Sequence, residues 1–594
     1  MSVQTMFSVL SATEARYGSR SALHQPVPGG SGEAAYRTYT WSEFKSIAME
    51  IACGLHAMGI RRGDIAGLVS ETRAEFYLAD LGIMACGAIA AAVYTSYPES
   101  EQVRALRVCE PRAVFVEDAR TLKALWSAGG ESLAAAWILL TGEGPGAESL
   151  ESVRARGRAA MEAEPGLFER IHGEVRREDH AILYLTSGAT GEPKMGLVTH
   201  GALVDQCEMG PPVLPLGPED STLAFLPSAH ITQRVVMELL CIRMAIPVWF
   251  SEGLSKMPGE LRTIRPTLFV APPRVWERVY ASICTEIKKK PAVLRKMFYA
   301  AIGLGSEAAR YRQRGQPVPG WLKMALKPFE GLVFDKIRSR LGGRLKVPAS
   351  GAAPLSRDLA AFYAAIGMPL IEGYGLTEGG VAVMNPTERP KPGSIGKPLR
   401  NVQLRLDEDG ELQLKSPAMF SEYFRDPAST AAVFTADGWL RTGDIAEMDA
   451  EGYVYITGRK KELIISSNGK KIYPARIENL FRMEPLINQV ILIGDRLPYV
   501  SALFTINAPT GDAGKPVSEV VSSPGVRDQV KKAVQRANRQ LASFEQIRKY
   551  RILERDFSIE NGELTPTMKV RRKKVLENFR AQVAEMYAGR EDAL

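Results

Sequence analysis

Tyr184-Leu185-Thr186-Ser187-Gly188-Ala189-Thr190-Gly191-Glu192-Pro193-Lys194 packs hydroxyls, glycines and one lysine into a turn between two apolar runs. Glycines let backbone N–H groups point into a concavity. Thr186, Ser187 and Thr190 add neutral donors and Lys194 adds a point charge, so the stretch suits a phosphate. It is not a Walker loop. That loop needs Gly-Lys-Ser/Thr and then a helix, whereas Pro193 takes the glycine position, Met195 replaces the hydroxyl, and Leu197-Val198-Thr199 reads as strand. A different nucleotide chemistry is indicated, although the composition alone also fits an ordinary loop.

The sequence around this turn predicts an α/β fold. From about residue 40 to 120, the helix-like stretch Trp41–Met58 alternates with apolar runs at 64–69 and 113–117, the pattern of parallel strands with crossover helices. Further short strands are expected at 222–226, 267–271 and 345–348, and Gly/Pro-rich loops at 25–35 and 141–150. Residues 280–344 read as a basic helical insert broken at Pro317-Val-Pro-Gly320. After Val402, short strands with turns at Gly410 and Gly452 predict a smaller β-rich region. Past Lys461, about 130 residues mix strands and helices as a separate unit.

At 594 residues the chain exceeds one ordinary core, and 45% hydrophobic with 24% charged residues is a globular composition. The most apolar run, 235–250, is interrupted by Glu238, Arg243 and Pro247, so no membrane span is expected. The N-terminus lacks a basic segment followed by an apolar one, so no secretory signal is expected. Six cysteines stand singly without C-x-x-C spacing, which argues against zinc or a disulfide framework and fits a reducing cytoplasm. The formal charge of +8 is concentrated at 288–290, 531–539 and 569–574. A solvated basic face, an anionic cofactor or an anionic lipid surface fits this, and no nucleic-acid signature accompanies it.

Four further clusters carry chemistry. Gly373-Tyr374-Gly375-Leu376-Thr377-Glu378 follows the apolar Met368–Ile371, expected as a strand; Tyr374 suits a purine, Thr377 a phosphate and Glu378 Mg²⁺. Trp439–Asp444 sets a carboxylate after a glycine turn, suited to a ribose or to a plain hairpin. Gly458-Arg459-Lys460-Lys461-Glu462 is a charge cluster after an expected strand at 453–456, readable as a solvated linker or as a hinge. Lys569, in Pro566-Thr-Met-Lys569, acquires meaning only beside the others.

In this order, Thr-Ser-Gly-x-Thr-Gly-x-Pro-Lys at 186–194, Gly-Tyr-Gly-x-Thr-Glu at 373–378, Thr-Gly-Asp at 442–444, Gly-Arg-Lys-Lys-Glu at 458–462 and Pro-Thr-x-Lys at 566–569 together resemble the adenylate-forming superfamily of acyl-CoA synthetases, luciferases and adenylation domains. Leu226–His230, Pro266–Tyr280, the basic insert, 335–343 and 350–355 are most similar to AMP-forming long-chain fatty acyl-CoA synthetases. The resemblance implies a large N-terminal domain (1–458) of α/β layers with a distorted β-barrel subdomain, plus a small mobile α+β C-terminal domain (459–594) hinged at Lys461. It implies ATP, Mg²⁺ and CoA as co-substrates or cofactors and a fatty acid as substrate. Site residues follow by position. Thr186, Ser187, Gly188, Ala189, Thr190 and Lys194 would grip phosphates, and Glu378 would bind Mg²⁺. Gly351, Glu372, Gly373, Tyr374, Gly375, Thr377, Asp444, Ile456 and Arg459 would hold the nucleotide. Lys569, Thr377 and Glu378 would act in catalysis, His230 would gate the acyl entrance, and Ser467, Asn468 and Gly469 would flank CoA.

Three positions depart from the family pattern. Ala189 replaces a common threonine, Met195-Gly196 stands for the usual Gly-Val, and Asn468 replaces a frequent glycine beside the pantetheine channel, where its tolerance of left-handed backbone would preserve passage. Two other readings stay open: an acyl-AMP ligase that hands its product to a carrier protein or other nucleophile, and a non-catalytic acyl- or nucleotide-binding scaffold. The expected location is cytoplasmic, with the basic insert offering peripheral membrane contact at the inner face.

Overall fold

Strand-forming runs buried on both faces assemble into two sheets with parallel centres, and the computed structural model describes residues 4–30, 35–186, 194–507, 517–565 and 569–588. One sheet has eight strands; its parallel centre is Ala136–Leu139, Ala113–Val116, Ile65–Val69, Ile89–Ala92 and His180–Thr186, and Lys194–Thr199 returns antiparallel to the last. Every residue of Ile65–Val69 is buried, as a central parallel strand flanked by helices requires. The second sheet has nine strands, with Val248–Phe250, Thr222–Ala224, Leu268–Ala271, Val347–Ser350 and Ile371–Leu376 parallel in its middle. Helix Ala74–Ala85 is buried all round within the large apolar core that joins the sheets.

Most expected elements are present. The helix expected at Trp41–Met58 spans Trp41–Ala57; Thr40 caps it, its Oγ1 accepting from Glu43 N at 3.2 Å while Glu43 Oε2 accepts from Thr40 N at 2.7 Å. The insert is helical at Pro273–Lys288, Ala292–Gln313 and Gly320–Phe329, the last starting at the expected break. The β-rich region is a four-stranded antiparallel sheet of Gln403–Leu406, Glu411–Lys415, Leu440–Met448 and Val454–Arg459. Its turns carry Gly410 at φ +83° and Gly452 at φ +81°. Two expectations change. The segment 141–150 is not loop throughout, since Glu148–Ser149 pairs with Ile138 and Leu139 and a helix begins at Leu150. The strand expected before Gly373 starts at Ile371 and runs through Leu376, its pairing with Gly380–Met384 absorbing the glycines.

Beyond Lys461, Ile487–Ile493, Val500–Ile506 and Ile547–Ile552 form a three-stranded sheet whose central strand, Val500–Ile506, is buried throughout, while Ile547–Ile552 at its edge is mostly half-buried. Alternation divides it: Leu492, Ala502 and Phe504 join one apolar cluster with Val530 and Ala533, while Ile491, Ile493 and Leu503 join another with Phe557 and Phe579. Among the described residues no helix is long and apolar enough to cross a membrane, and the six cysteines are unpaired.

One ion pair lies deep in the large core. Arg234 and Asp80 are both 0% exposed; Arg234 Nε donates to Asp80 Oδ2 at 2.8 Å, Nη2 donates to Oδ1, and Nη1 donates to Ala90 O at 3.3 Å. Glu238, one helical turn on, is fully buried, and desolvation followed by the Asp80 charge pushes its carboxyl well above the usual range, so it is held as the neutral acid. Removing one partner of such a pair leaves an uncompensated charge. Arg234→Met should therefore lower stability by about 3–5 kcal/mol in thermal or urea unfolding, with much of the loss recovered by adding Asp80→Leu. A single variant as stable as the parent would show that the pair is not a structural anchor.

Candidate active site

Many of the sequence-predicted residues line one cavity of about 1240 Å³, walled by residues of the nine-stranded sheet, the β-rich sheet and the C-terminal unit. Its mouth is polar: Lys194, Thr377, Glu378, Arg459, Lys460, Lys461 and Lys569 line it. Its far end is apolar, lined by Val235, Val236, Leu240, Leu268, Val270, Val347 and Ile371. His230 lines the same cavity, its Nδ1 accepting from Thr232 N at 3.2 Å. Desolvation, with the Lys569 charge next, pushes its imidazole down to about 3, so the ring is neutral at pH 7.

Strand pairing brings the mouth together. Asp444 and Arg459 are direct partners across the antiparallel strands Leu440–Met448 and Val454–Arg459, and Arg459 Nε lies 3.0 Å from Asp444 Oδ1. Tyr374 Oη donates to Asp444 Oδ2 at 2.6 Å. Asp444 is buried with one carboxylate oxygen on each of these partners and does not itself line the cavity, whereas Arg459 and Tyr374 do. Glu378 Oε1 accepts from Tyr423 Oη at 2.5 Å. Lys194 Nζ donates to Ser429 Oγ at 2.7 Å and stands 4.9 Å from the centre of the Tyr423 ring.

Lys569 arrives from the opposite side. Thr565 N donates to Lys569 O at 2.8 Å, Lys569 N donates to Thr565 Oγ1 at 3.0 Å, and Leu564 forms an antiparallel bridge with Val570, so these contacts fix the backbone of Lys569. Its side chain opens onto the cavity and so counts as exposed surface, but the cleft encloses it. Desolvation there, and then the Arg459 charge, pushes its ammonium down to about 8, with Asp444, Glu462 and Glu378 acting the other way.

Other expected residues sort clearly. Gly351, Gly373 and Gly375 line the cavity; Ile456 pairs with Ala446 across the β-rich sheet and does not line it. Glu372 is buried, takes a hydrogen bond from Leu355 N at 3.2 Å, and desolvation pushes its carboxyl up to about 8. Ser187, Gly188, Ala189 and Thr190 lie outside the described residues, as does the side chain of Thr186. Ser467, Asn468 and Gly469 form an exposed turn that does not line the cavity. Gly469, at φ +76°, takes the left-handed backbone there, so the tolerance expected of Asn468 is not called upon; its Oδ1 accepts from Ser466 Oγ at 2.5 Å. Met195 is a core residue, buried against Cys109 at 3.5 Å, so its departure from the family pattern does not touch the site.

Sequence reading missed Tyr423, Ser429, Ser350 and Ala352. Tyr423 and Ser429 lie in a stretch without periodicity, on the strand Glu422–Tyr423 and helix Pro427–Val433. The Ser350 hydroxyl is buried on the cavity wall without a protein partner, and Ala352 beside it holds φ +66°, a conformation unfavourable to a side chain. The acidic group Asp407, Asp409 and Glu411 resembles a cation site, but Lys460 Nζ already lies 2.5 Å from Asp409 and 2.9 Å from Glu411. Glu378, by contrast, faces the cationic mouth, and its oxygen donors suit Mg²⁺ beside a polyphosphate.

A cationic mouth, a tyrosine bound to a buried carboxylate and a lysine delivered by a second domain define an adenylate-forming enzyme, and the chain belongs to the AMP-binding enzyme family. The family model matches residues 10–424, and that of the AMP-binding enzyme C-terminal domain matches 461–591. Relatives include the long-chain-fatty-acid–CoA ligase FadD15 of Mycobacterium tuberculosis, 34% identical over 93% of both chains. Another is the rat long-chain-fatty-acid–CoA ligase ACSBG2, 26% identical over 93% of this chain and 89% of the relative. In fold the chain is similar to the anthranilate CoA ligase AuaEII (TM-score 0.73, 19% identity, 98% and 99% coverage). It is also similar to the adenylation domain of a Mycobacterium chelonae carboxylate reductase (TM-score 0.75, 20% identity, 99% and 92% coverage).

The lowered Lys569 sets a pH window. Its ammonium is charged below about 8 and neutral above, so any affinity it lends to an anionic ligand would be present on the acid side and lost as pH rises through that value. A bound polyanion shifts the window upward. Titration calorimetry with ATP from pH 7 to 9.5 should show weakening that Lys569→Met abolishes; a flat profile, or one unchanged in the variant, would remove Lys569 from the nucleotide site.

Proposed function

We propose that the protein is an AMP-forming long-chain fatty acid–CoA ligase working in two steps. A fatty carboxylate oxygen attacks the α-phosphorus of ATP, breaking the bond to pyrophosphate and giving acyl-AMP; the CoA thiol then attacks the acyl carbon, AMP leaves, and the thiol proton passes to solvent. One observation carries this reading: a single cavity joins a cationic mouth to an apolar end, with a neutral histidine lining it. The mouth suits a polyphosphate, the apolar end an alkyl chain, and their continuity brings a carboxylate to the phosphates.

The roles follow the chemistry. ATP carries about four negative charges and the attacking acid is a further anion, so the step depends on positioned cations and donors. Lys194 and the loop 187–193 would grip the β- and γ-phosphates, Thr377 the α-phosphate, and Asp444 with Arg459 the ribose. Tyr374 would stack on adenine beside Gly351, Glu372, Gly373, Gly375 and Ile456. Mg²⁺ held by Glu378 would neutralise phosphate charge. Lys569 would bridge the carboxylate and the α-phosphate. No general base is needed, because the acid is already ionised at neutral pH. For thiolation the part of the chain beyond Lys461, an exposed residue in the 3₁₀ turn Lys460–Glu462, would turn about it, bringing Ser467, Asn468 and Gly469 to the cavity beside CoA.

Pyrophosphate release over fatty acids of graded length, with and without CoA, tests this reading. Long-chain acids should release pyrophosphate and yield thioester with CoA; release without thioester would favour an acyl-AMP ligase, and no release with any acid a scaffold. Lys569→Ala should slow adenylation by roughly 10²–10³-fold, the scale of one preorganised stabilising group, and spare thiolation of supplied acyl-AMP. Equal loss of both steps would overturn the role given to Lys569.

We also infer that the helical insert meets an anionic membrane surface where the amphiphilic acid resides. Residues 288–336 contain eleven Lys and Arg against three Asp and Glu, an excess equal to the formal +8 of the whole chain. Trp321 (63% exposed) and Met324 (77%) stand one turn apart on helix Gly320–Phe329 among exposed Lys323 and Lys327, with Val293, Leu294 and Tyr299 exposed on the preceding helix. Apolar anchors amid cations suit an interfacial helix. The protein should sediment with phosphatidylglycerol vesicles at low salt, less with phosphatidylcholine, and less after Trp321→Ala with Met324→Ala. Equal sedimentation in all arms would refute the contact.

A further inference from the structure

Helix Pro273–Lys288 leaves the strand Leu268–Ala271 through Pro272 and Pro273, and Leu268 and Val270 of that strand line the apolar end of the cavity. The first turn of this helix grips the C-terminal unit. Arg274 Nη1 donates to the backbone oxygen of Asn488 at 2.5 Å and to its Oδ1 at 2.9 Å. Glu277 stands between two arginines, 3.8 Å from Arg274 and 3.7 Å from Arg482. Met483, beside Arg482, packs against the apolar cluster that holds Trp276 and Phe269. Asn488 lies on the strand Ile487–Ile493, beyond the hinge turn Lys460–Glu462.

This contact differs from an ordinary surface pair. The Glu277 side chain is only 11% exposed and that of Arg274 26%; desolvation, followed by the Arg482 charge, pushes the Arg274 guanidinium down to about 10, leaving it protonated at neutral pH. A hydrogen bond from a charged donor in such surroundings is worth more than an exposed ion pair. None of Arg274, Glu277, Arg482 and Asn488 lines the cavity.

We propose that Arg274 is a positioning residue for acyl-adenylate formation: its clamp on Asn488, braced by Glu277 and Arg482, holds the C-terminal unit where Lys569 faces Glu378 and Asp444, and must release before the unit turns about Lys461. The inference rests on the two-step reading above. Two consecutive prolines fix the path from the cavity wall to Arg274, so wall and clamp move as one piece. The clamp thus favours one domain orientation over the other, and loosening it shifts the population toward the second step.

Arg274→Ala tests the proposal through readouts that a general structural role would not separate. Adenylation, followed by pyrophosphate release in a single turnover, should fall roughly tenfold, the scale of one charged hydrogen bond. Transfer of supplied acyl-AMP to CoA should hold or rise, and Arg274→Lys should recover part of the first step. Tryptic cleavage at Lys461 should quicken several-fold in Arg274→Ala, with the unfolding midpoint unchanged. Both half-reactions falling together with a lowered midpoint, or neither changing, would overturn the clamp. Should the parent form no acyl-adenylate, the two-step reading fails by itself; the clamp is then judged by cleavage, and equal rates in parent and variant would overturn it.

Discussion

The buried pair of Asp80 and Arg234 fixes the seam on which the site is built. Asp80 belongs to the fully buried helix Ala74–Ala85, and Arg234 to the turn of helix Thr232–Leu239 that follows His230. The guanidinium also reaches Ala90 and lies 5.7 Å from the centre of the Tyr184 ring, on the strand that leads into the loop 187–193. Two charges taken from water repay their desolvation only in good geometry, so the pair tolerates little displacement. Val235 and Val236, next in the chain, line the apolar end of the cavity. One interaction therefore sets Val235 and Val236 in register with the strand His180–Thr186, and Glu238, its carboxyl pushed well above the usual range by desolvation and then the Asp80 charge, adds no second buried carboxylate charge.

Against this rigid seam the charges at the mouth are distributed by domain. Asp444, Tyr374 and Glu378 sit on paired strands and their turns in the N-terminal part, held by Arg459 and Tyr423, whereas Lys569 comes from the far side, its backbone fixed by Thr565 and the Leu564–Val570 bridge. Desolvation in the cleft, and then the like charge of Arg459, pushes the Lys569 ammonium down against the opposing pull of Asp444, Glu462 and Glu378. A bound polyanion would stabilise the charged form of Lys569, so nucleotide binding and the holding of Lys569 at the cavity would share one electrostatic origin.

Much of this was legible in the chain. Strands buried on both faces read as apolar runs, and glycine turns at 410 and 452 punctuated the β-rich sheet where backbone at positive φ was required. The polar clusters fell on one cavity because each sits at a strand end or a hairpin. What escaped had physical reasons. The glycines of 373–375 hid a strand whose pairing, and not its side-chain alternation, makes it one. Tyr423 and Ser429 act on Glu378 and Lys194 across long chain separations, with no local pattern to mark them. Met195 looked like a change to the phosphate loop because it follows Lys194; strand alternation turns it into the core. Arg274 was part of a recognisable stretch, but its partner lies over two hundred residues away, and only the fold brings them together.

Held and exposed residues stand side by side at 460 and 461. Lys460 is held by Asp409 and Glu411, and Glu411 Oε1 in turn accepts from Gly443 N at 2.9 Å, beside Asp444. Buried Glu411 thus ties Lys460 to the backbone beside Asp444, and two of the three acidic side chains that could be mistaken for a metal site instead hold a lysine, while Asp407 accepts from Gln413. Lys461, next in the chain, is exposed. A change in backbone dihedrals at Lys461 would leave Arg459, Lys460 and Asp444 in place while carrying Lys569 away, so the nucleotide site would survive intact as its catalytic cation departs. With Arg274 gripping the moving unit on one side and Lys460 anchored on the other, the dihedral change is confined to a few residues between two charge-assisted contacts, of which only the first has to break.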